Sequence, residues 1–229
     1  MNSLLRPIYL LADSQLLFWK ENGNSFMASI KALLAKEKPT AAYIGASNGD
    51  LLEFYRLFEG VMAEAGIVDC RMIRASFQED DAQFLEQADL ILLAGGDVAQ
   101  GWKVFTETGM NDMLIRRHAE GALLIGVFAG AIHLGLYGCL EKGASHREMF
   151  KTLGLVPFMI DVHGEQNEWL QLSETIELLG TDVKGIGIPS GGGLIYHPDN
   201  TVEPVRHQAM EFVMAQAGKL ACNLLSPDD

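Results

Sequence analysis

The residue pattern that comes nearest to a reaction centre lies in Ala122–Leu136, ALLIGVFAGAIHLGL. A short apolar run, Ala122–Val127, enters a glycine-flanked turn and then a segment of helical composition. This is the layout of a nucleophile elbow, G-x-Nuc-x-G. Gly126 and Gly130 stand where strand and helix backbones approach closely and a Cβ would intrude. The position between them, where such a turn presents Ser or Cys, carries Phe128, which has no nucleophilic atom. Other side chains nearby could act instead. Cys139 follows the elbow helix, and Ser47 and Ser190 sit in loops; the plainer readings are a buried structural cysteine and turn-forming serines. His133, His146 and His163 match no metal-ligand spacing, so no metal is expected. Gly191–Gly193 lacks the helix and Lys of a phosphate loop, so it reads as a turn and no cofactor is expected.

The elements that must position these groups follow from hydrophobic patterning. Pro7–Ala12, Thr40–Gly45, Val68–Ile73, Leu90–Ala94 and Ala122–Val127 are short apolar runs with the character of buried strands. Helical spacing over Phe26–Lys36, Leu51–Ala65, part of Gln78–Asp89 and Asn111–Glu120 separates them. Strands alternating with helices predict βαβ units and a mostly parallel sheet. Ligands in such sheets lie beyond the carboxyl ends of the strands, which puts Ala46–Gly49, Gly95–Asp97 and Phe128–Ala131 on one rim. Further along, Leu155–Val162 is a strand candidate ending at His163, and Gln166–Leu179 is helical. Gly185–Ile188, Leu194–Tyr196 and Val202–Val205 read as a small antiparallel extension, and His207–Asn223 as a terminal amphipathic helix. The 229 residues read as a single α/β domain, 1–229.

Composition narrows the function classes. The formal net charge is −13, with Lys and Arg scattered, which speaks against nucleic acid or an anionic membrane as partner. Cys70, Cys139 and Cys222 are an odd number without metal spacing and fit a reducing compartment. The start, MNSLLRPIYLLADSQ, is interrupted by Arg6 and Pro7 and lacks a signal-peptide layout, so a cytoplasmic location is expected.

An ordered set of segments resembles peptidase family S51, the aspartyl dipeptidase (peptidase E) and cyanophycinase group. Thr40–Asn48 (TAAYIGASN), Leu92–Asp97 (LLAGGD), Glu107–Arg117 (ETGMNDMLIRR), Gly126–Ala131 (GVFAGA), Thr152–His163 (TLGLVPFMIDVH) and Gly185–Pro189 (GIGIP) occur in that family's order and near its spacing. The resemblance implies a three-layer α/β/α sandwich of the class I glutamine amidotransferase-like, flavodoxin-like kind. It also implies roles: Phe128 at the nucleophile position, His163 as base, and backbone N–H groups of Gly96 and Ala129 as oxyanion donors. Gly95, Asp97 and Gly130 are expected beside them in the oxyanion and ligand-binding set. The acid falls in a variable segment, with Glu141 the candidate and Glu148 behind it.

The chain departs from the family at two points. No acyl-enzyme can form on Phe128, and losing a triad nucleophile leaves only roughly 10³–10⁴-fold catalysis over water. After His163, where active relatives usually continue with Phe and a pair of arginines, this chain reads Gly164-Glu165-Gln166-Asn167-Glu168. The expectation is a non-catalytic homologue binding a small ligand or short peptide at the vestigial site, with a homodimer left open. The alternative is an exopeptidase or other hydrolase using a displaced nucleophile or a water activated by His163. Ser47, Ser190 or Cys139 within reach of His163 would favour the alternative; a Phe128 ring filling the reaction space would favour binding.

Overall fold

A computed structural model describes residues 5–21, 23–34, 36–141, 147–215 and 218–227. The strands are β1 (Ile8–Leu11), β2 (Lys20–Glu21), β3 (Asn24–Ser25), β4 (Thr40–Ile44), β5 (Asp69–Ile73), β6 (Leu90–Leu93), β7 (Leu123–Val127), β8 (Tyr137–Glu141), β9 (Arg147–Lys151), β10 (Met159–Val162), β11 (Gly185–Ile188), β12 (Gly193–Tyr196), β13 (Val202–Val205), β14 (Ala209–Met214) and β15 (Leu220–Leu225). The α-helices are α1 (Phe26–Ala32), α2 (Leu52–Glu64), α3 (Glu79–Leu85), α4 (Val98–Thr108), α5 (Met110–Ala119), α6 (Ala129–Leu134) and α7 (Leu170–Leu179). None of these helices is long and apolar enough to cross a membrane.

The principal sheet runs β13-β12-β1-β7-β6-β4-β5. Its members β1, β7, β6, β4 and β5 are parallel neighbours, and β12 and β13 add an antiparallel edge beside β1. The apolar runs lack alternation because both faces are covered. One face presents Leu10, Ile44, Leu93 and Leu124 to Phe105 of α4, Leu114 of α5 and Leu134 of α6. The other presents Leu11, Tyr43, Leu92 and Ile125 to Ile30 of α1 and to Phe58 and Met62 of α2. Helices on both faces of a mostly parallel sheet make the three-layer sandwich.

A second sheet, β10-β11-β14-β15, carries α7, with Trp169, Leu172, Ile176 and Phe212 in a smaller core. Here the structure corrects the expected terminal helix over 207–223, which is the hairpin β14–β15. Met210, Phe212 and Met214 alternate along β14 to pack on this core, a period of two rather than 3.6. Gly218, at φ 68°, stands between the two strands. The expected antiparallel extension is also split: β12 and β13 form the edge of the principal sheet, whereas β11 (Gly185–Ile188) pairs parallel with β10 in the second sheet. Outside the expected pattern lie the hairpins β2–β3 and β8–β9, and helix α4, which Gly109 at φ 75° divides from α5.

Candidate functional site

Strand β7 is central, and at its carboxyl end the backbone turns sharply into α6. Phe128 occupies that turn with φ 50° and ψ −109°, while its N–H donates to the Leu11 carbonyl at 2.9 Å. A non-glycine residue at positive φ is held there by its surroundings. The flanking glycines show how. A Cβ on Gly126 would stand 2.6 Å from the Ala131 nitrogen, and one on Gly130 only 2.1 Å from the Leu93 carbonyl oxygen. Helix α6 therefore lies directly on the strand backbone, and the elbow is its only way out.

The expected rim forms. A Cβ on Gly95 would lie 3.1 Å from Phe128 Cβ, and one on Gly96 (φ 136°) would meet the Ser47 carbonyl oxygen at 2.2 Å. The Asp97 N–H donates to that same oxygen at 2.7 Å. Asp97 caps α4, its carboxylate accepting from the Gln100 N–H at 2.8 Å. Ala129 and Gly130 are buried at the start of α6. Ser47 is buried beneath this loop.

His163 and Ser190 follow β10 and β11, which are parallel neighbours, so the two residues emerge side by side. Nδ1 of His163 lies 2.8 Å from Ser190 Oγ. That hydroxyl donates to Glu165 Oε1 at 2.6 Å, and the Ser190 N–H donates to the same oxygen at 3.1 Å. Burial alone would raise the Glu165 carboxyl. The Ser190 hydroxyl, backbone N–H groups and the His163 charge outweigh it and hold the group below the usual carboxylate range. Glu165 is thus an acceptor only, and the single Ser190 proton goes to it. His163 then donates from Nδ1, and in the neutral imidazole Nε2 is left as the acceptor. Ser190 transmits the carboxylate's orientation to the imidazole and is not itself poised to lose a proton to it.

The Phe128 and His163 rings face each other, centroids 5.6 Å apart and planes inclined 37°. Phe128 also stands between two cavities. One, of about 490 Å³, is lined by Asp97, Phe128, Cys139, Asp161 and Thr175. The other, of about 370 Å³, is lined by Leu17, Tyr43, Phe54, Gly95, Phe128 and His163.

Of the expected site residues, Gly95, Gly96, Asp97, Phe128, Ala129, Gly130 and His163 come together. The group beside His163 Nδ1 is Ser190 with Glu165 behind it, where Glu141 was the expected acid. Glu141 pairs with Arg147 through the β8–β9 backbone, and its side chain lies outside the described residues. His146 lies outside them too. Glu165 was missed as a partner for the histidine. Its only sequence signal is its place two residues after His163, in a short 3₁₀ turn. His133, on α6, is fully buried. Its Nε2 lies 2.8 Å from the Val98 carbonyl, and its ring sits between Trp102 and Phe105. Burial pushes it down to about 4, against smaller opposing effects of the Val98 bond and the Asp97 charge.

The peptidase family S51 sequence model matches residues 9–203, and the chain belongs to that family. The fold is similar to that of a peptidase from an acI-B1 Actinobacterium, with a TM-score of 0.70 and 16% identity, covering 100% of this chain and 97% of that one. It is also similar to a putative peptidase E protein from Listeria monocytogenes EGD-e, with a TM-score of 0.57 and 15% identity, covering 96% of this chain and 99% of that one. No curated protein matches the chain.

Proposed function

We propose that this S51-family protein forms no acyl-enzyme at its elbow and instead binds a small ligand or short peptide beside Phe128. The observation that carries the reading is the Phe128 ring itself. It sits at the strained elbow position, against Gly95 and facing His163, where a nucleophile and a scissile carbonyl would otherwise meet. A hydrocarbon ring there supplies neither nucleophile nor proton. What remains is a pair of cavities and a histidine held in one tautomer, which suits recognition.

The 2.8 Å contact between Ser190 and His163 supports a second reading, a hydrolase with a displaced nucleophile. The Ser190 proton points to Glu165, so the more consistent form of that reading has Nε2 of His163 activating a water. A mixed dipeptide library that includes Asp-X and β-aspartyl members separates the readings. The unmodified protein is expected to be silent. Hydrolysis by it that is lost in His163→Ala would overturn the binding reading. Activity confined to Phe128→Ser would mean that only the nucleophile is missing. Silence from both means the cavities themselves have diverged.

A further inference from the structure

The smaller cavity opens on the α1/α2 side of the principal sheet, beyond the ends of β4, β6 and β7. Its walls are aromatic and aliphatic: Phe18, Tyr43, Phe54, Leu57, Phe58 and Phe128. Large apolar side chains of a core are normally covered, yet Phe18, Phe54 and Leu57 are 49%, 46% and 50% exposed. They cluster at one mouth above buried Phe58 and Leu92, forming an apolar patch with a cavity beneath it. A volume of about 370 Å³ lies in the range of small-molecule sites. Facing rings at varied tilts, such as Tyr43–Phe58 and Phe128–His163, suit a further ring inserted among them.

Charge decides what else the ligand carries. Among the described residues, neither this cavity nor its neighbour has a lysine or arginine in its lining, while Asp13 lines one and Asp97 and Asp161 the other. The Asp13 carboxylate is fixed in place by the N–H groups of Gln15 and Gly191, at 2.8 and 2.7 Å. A carboxylate entering here would meet the fixed Asp13 charge, and the one group of opposite sign in the lining, His163, is already engaged with Glu165 through Ser190, in a chain of formal net charge −13.

We infer that this cavity is the specificity pocket of the site and receives an aromatic or branched apolar group on a ligand without net negative charge. The inference rests on the elbow being a ligand site. Two probes test it, N-acetyl-phenylalaninamide and N-acetyl-aspartate amide, each titrated into the intact protein and followed by backbone amide NMR shifts. The phenylalanine probe is expected to bind at least about tenfold more tightly, with shifts concentrated at 54–58 and 127–128. Leu57→Asp should weaken it at least about tenfold. Leu178→Asp, on the outer face of α7 and 84% exposed, should leave it unchanged. Equal or tighter binding of the aspartate probe, shifts centred on 171–175 instead, or no binding of either probe would overturn the inference. Should Leu57→Asp not fold, the shift map of the unmodified protein decides alone. Hydrolysis in the dipeptide assay with the aromatic preference intact would sink the non-catalytic reading and leave this pocket standing.

Discussion

His133 gives the fold a quantitative pH signature. The side chain is fully buried between Trp102 and Phe105, bonded through Nε2 to the Val98 carbonyl, and its Nδ1 has no partner among the described residues. Burial holds it near 4 against 6.5 in the unfolded chain. Below pH 6.5 the unfolded chain takes up a proton here that the native chain refuses until about 4. Stability therefore falls as pH drops through that window, and this group adds no further loss beneath it. Between pH 8 and 5.5 the loss is roughly 1.4 kcal/mol, since the unfolded state is about nine-tenths protonated and the native state almost not at all. Staying at pH 5.5 avoids the low-charge region near the pI of about 4.8. His133→Gln keeps a donor near Val98 and removes the titration. Urea unfolding of both proteins at the two pH values gives the double difference. His118, also held low chiefly by burial, contributes alike to both and cancels. The variant should lose about 1.4 kcal/mol less than the parent; equal losses would refute the reasoning.

Three further outcomes follow from the geometry. Gly96→Ala places a Cβ 2.2 Å from the Ser47 carbonyl at a φ of 136° and should cost at least about 2 kcal/mol, read from the urea midpoint. Gly60→Ala, within α2 and with nothing within 4 Å of the new Cβ, should instead stabilise by roughly 0.5–1 kcal/mol. Ser190→Ala removes the hydroxyl that bridges Glu165 to His163. Carboxyl-carbon NMR should then show the Glu165 pKa rising toward its ordinary value, and an unmoved titration would contradict the bridge.

The sheet was legible because strands covered on both faces leave uninterrupted apolar runs, and Leu90–Leu93 and Leu123–Val127 could hardly be anything else. The elbow was legible because Gly126 and Gly130 are sterically obligatory. What escaped is equally physical. In β14 the four-residue spacing of Met210 and Met214 fits a helix as well as a strand, and it is Phe212 between them, packed on the same core under α7, that separates the two. Helix α4 was hidden because its cap, Asp97, adjoins two glycines that suggest loop. Glu165 could not be paired with His163 from sequence, because Ser190, the atom bridge between them, is 25 residues further along and is brought in only by the β10–β11 pairing.

The backbone at Phe128 is set by what surrounds it: two glycines, the Leu93 carbonyl beneath α6, and the bond to Leu11. None of these involves the benzyl group. Side chain and turn are therefore separable in the course of descent, and the residue at this position can be exchanged while the turn is kept. Phenylalanine and serine codons can differ by a single base. A single base change at this codon would therefore place a hydroxyl on the same turn, with the backbone that holds it left as it is.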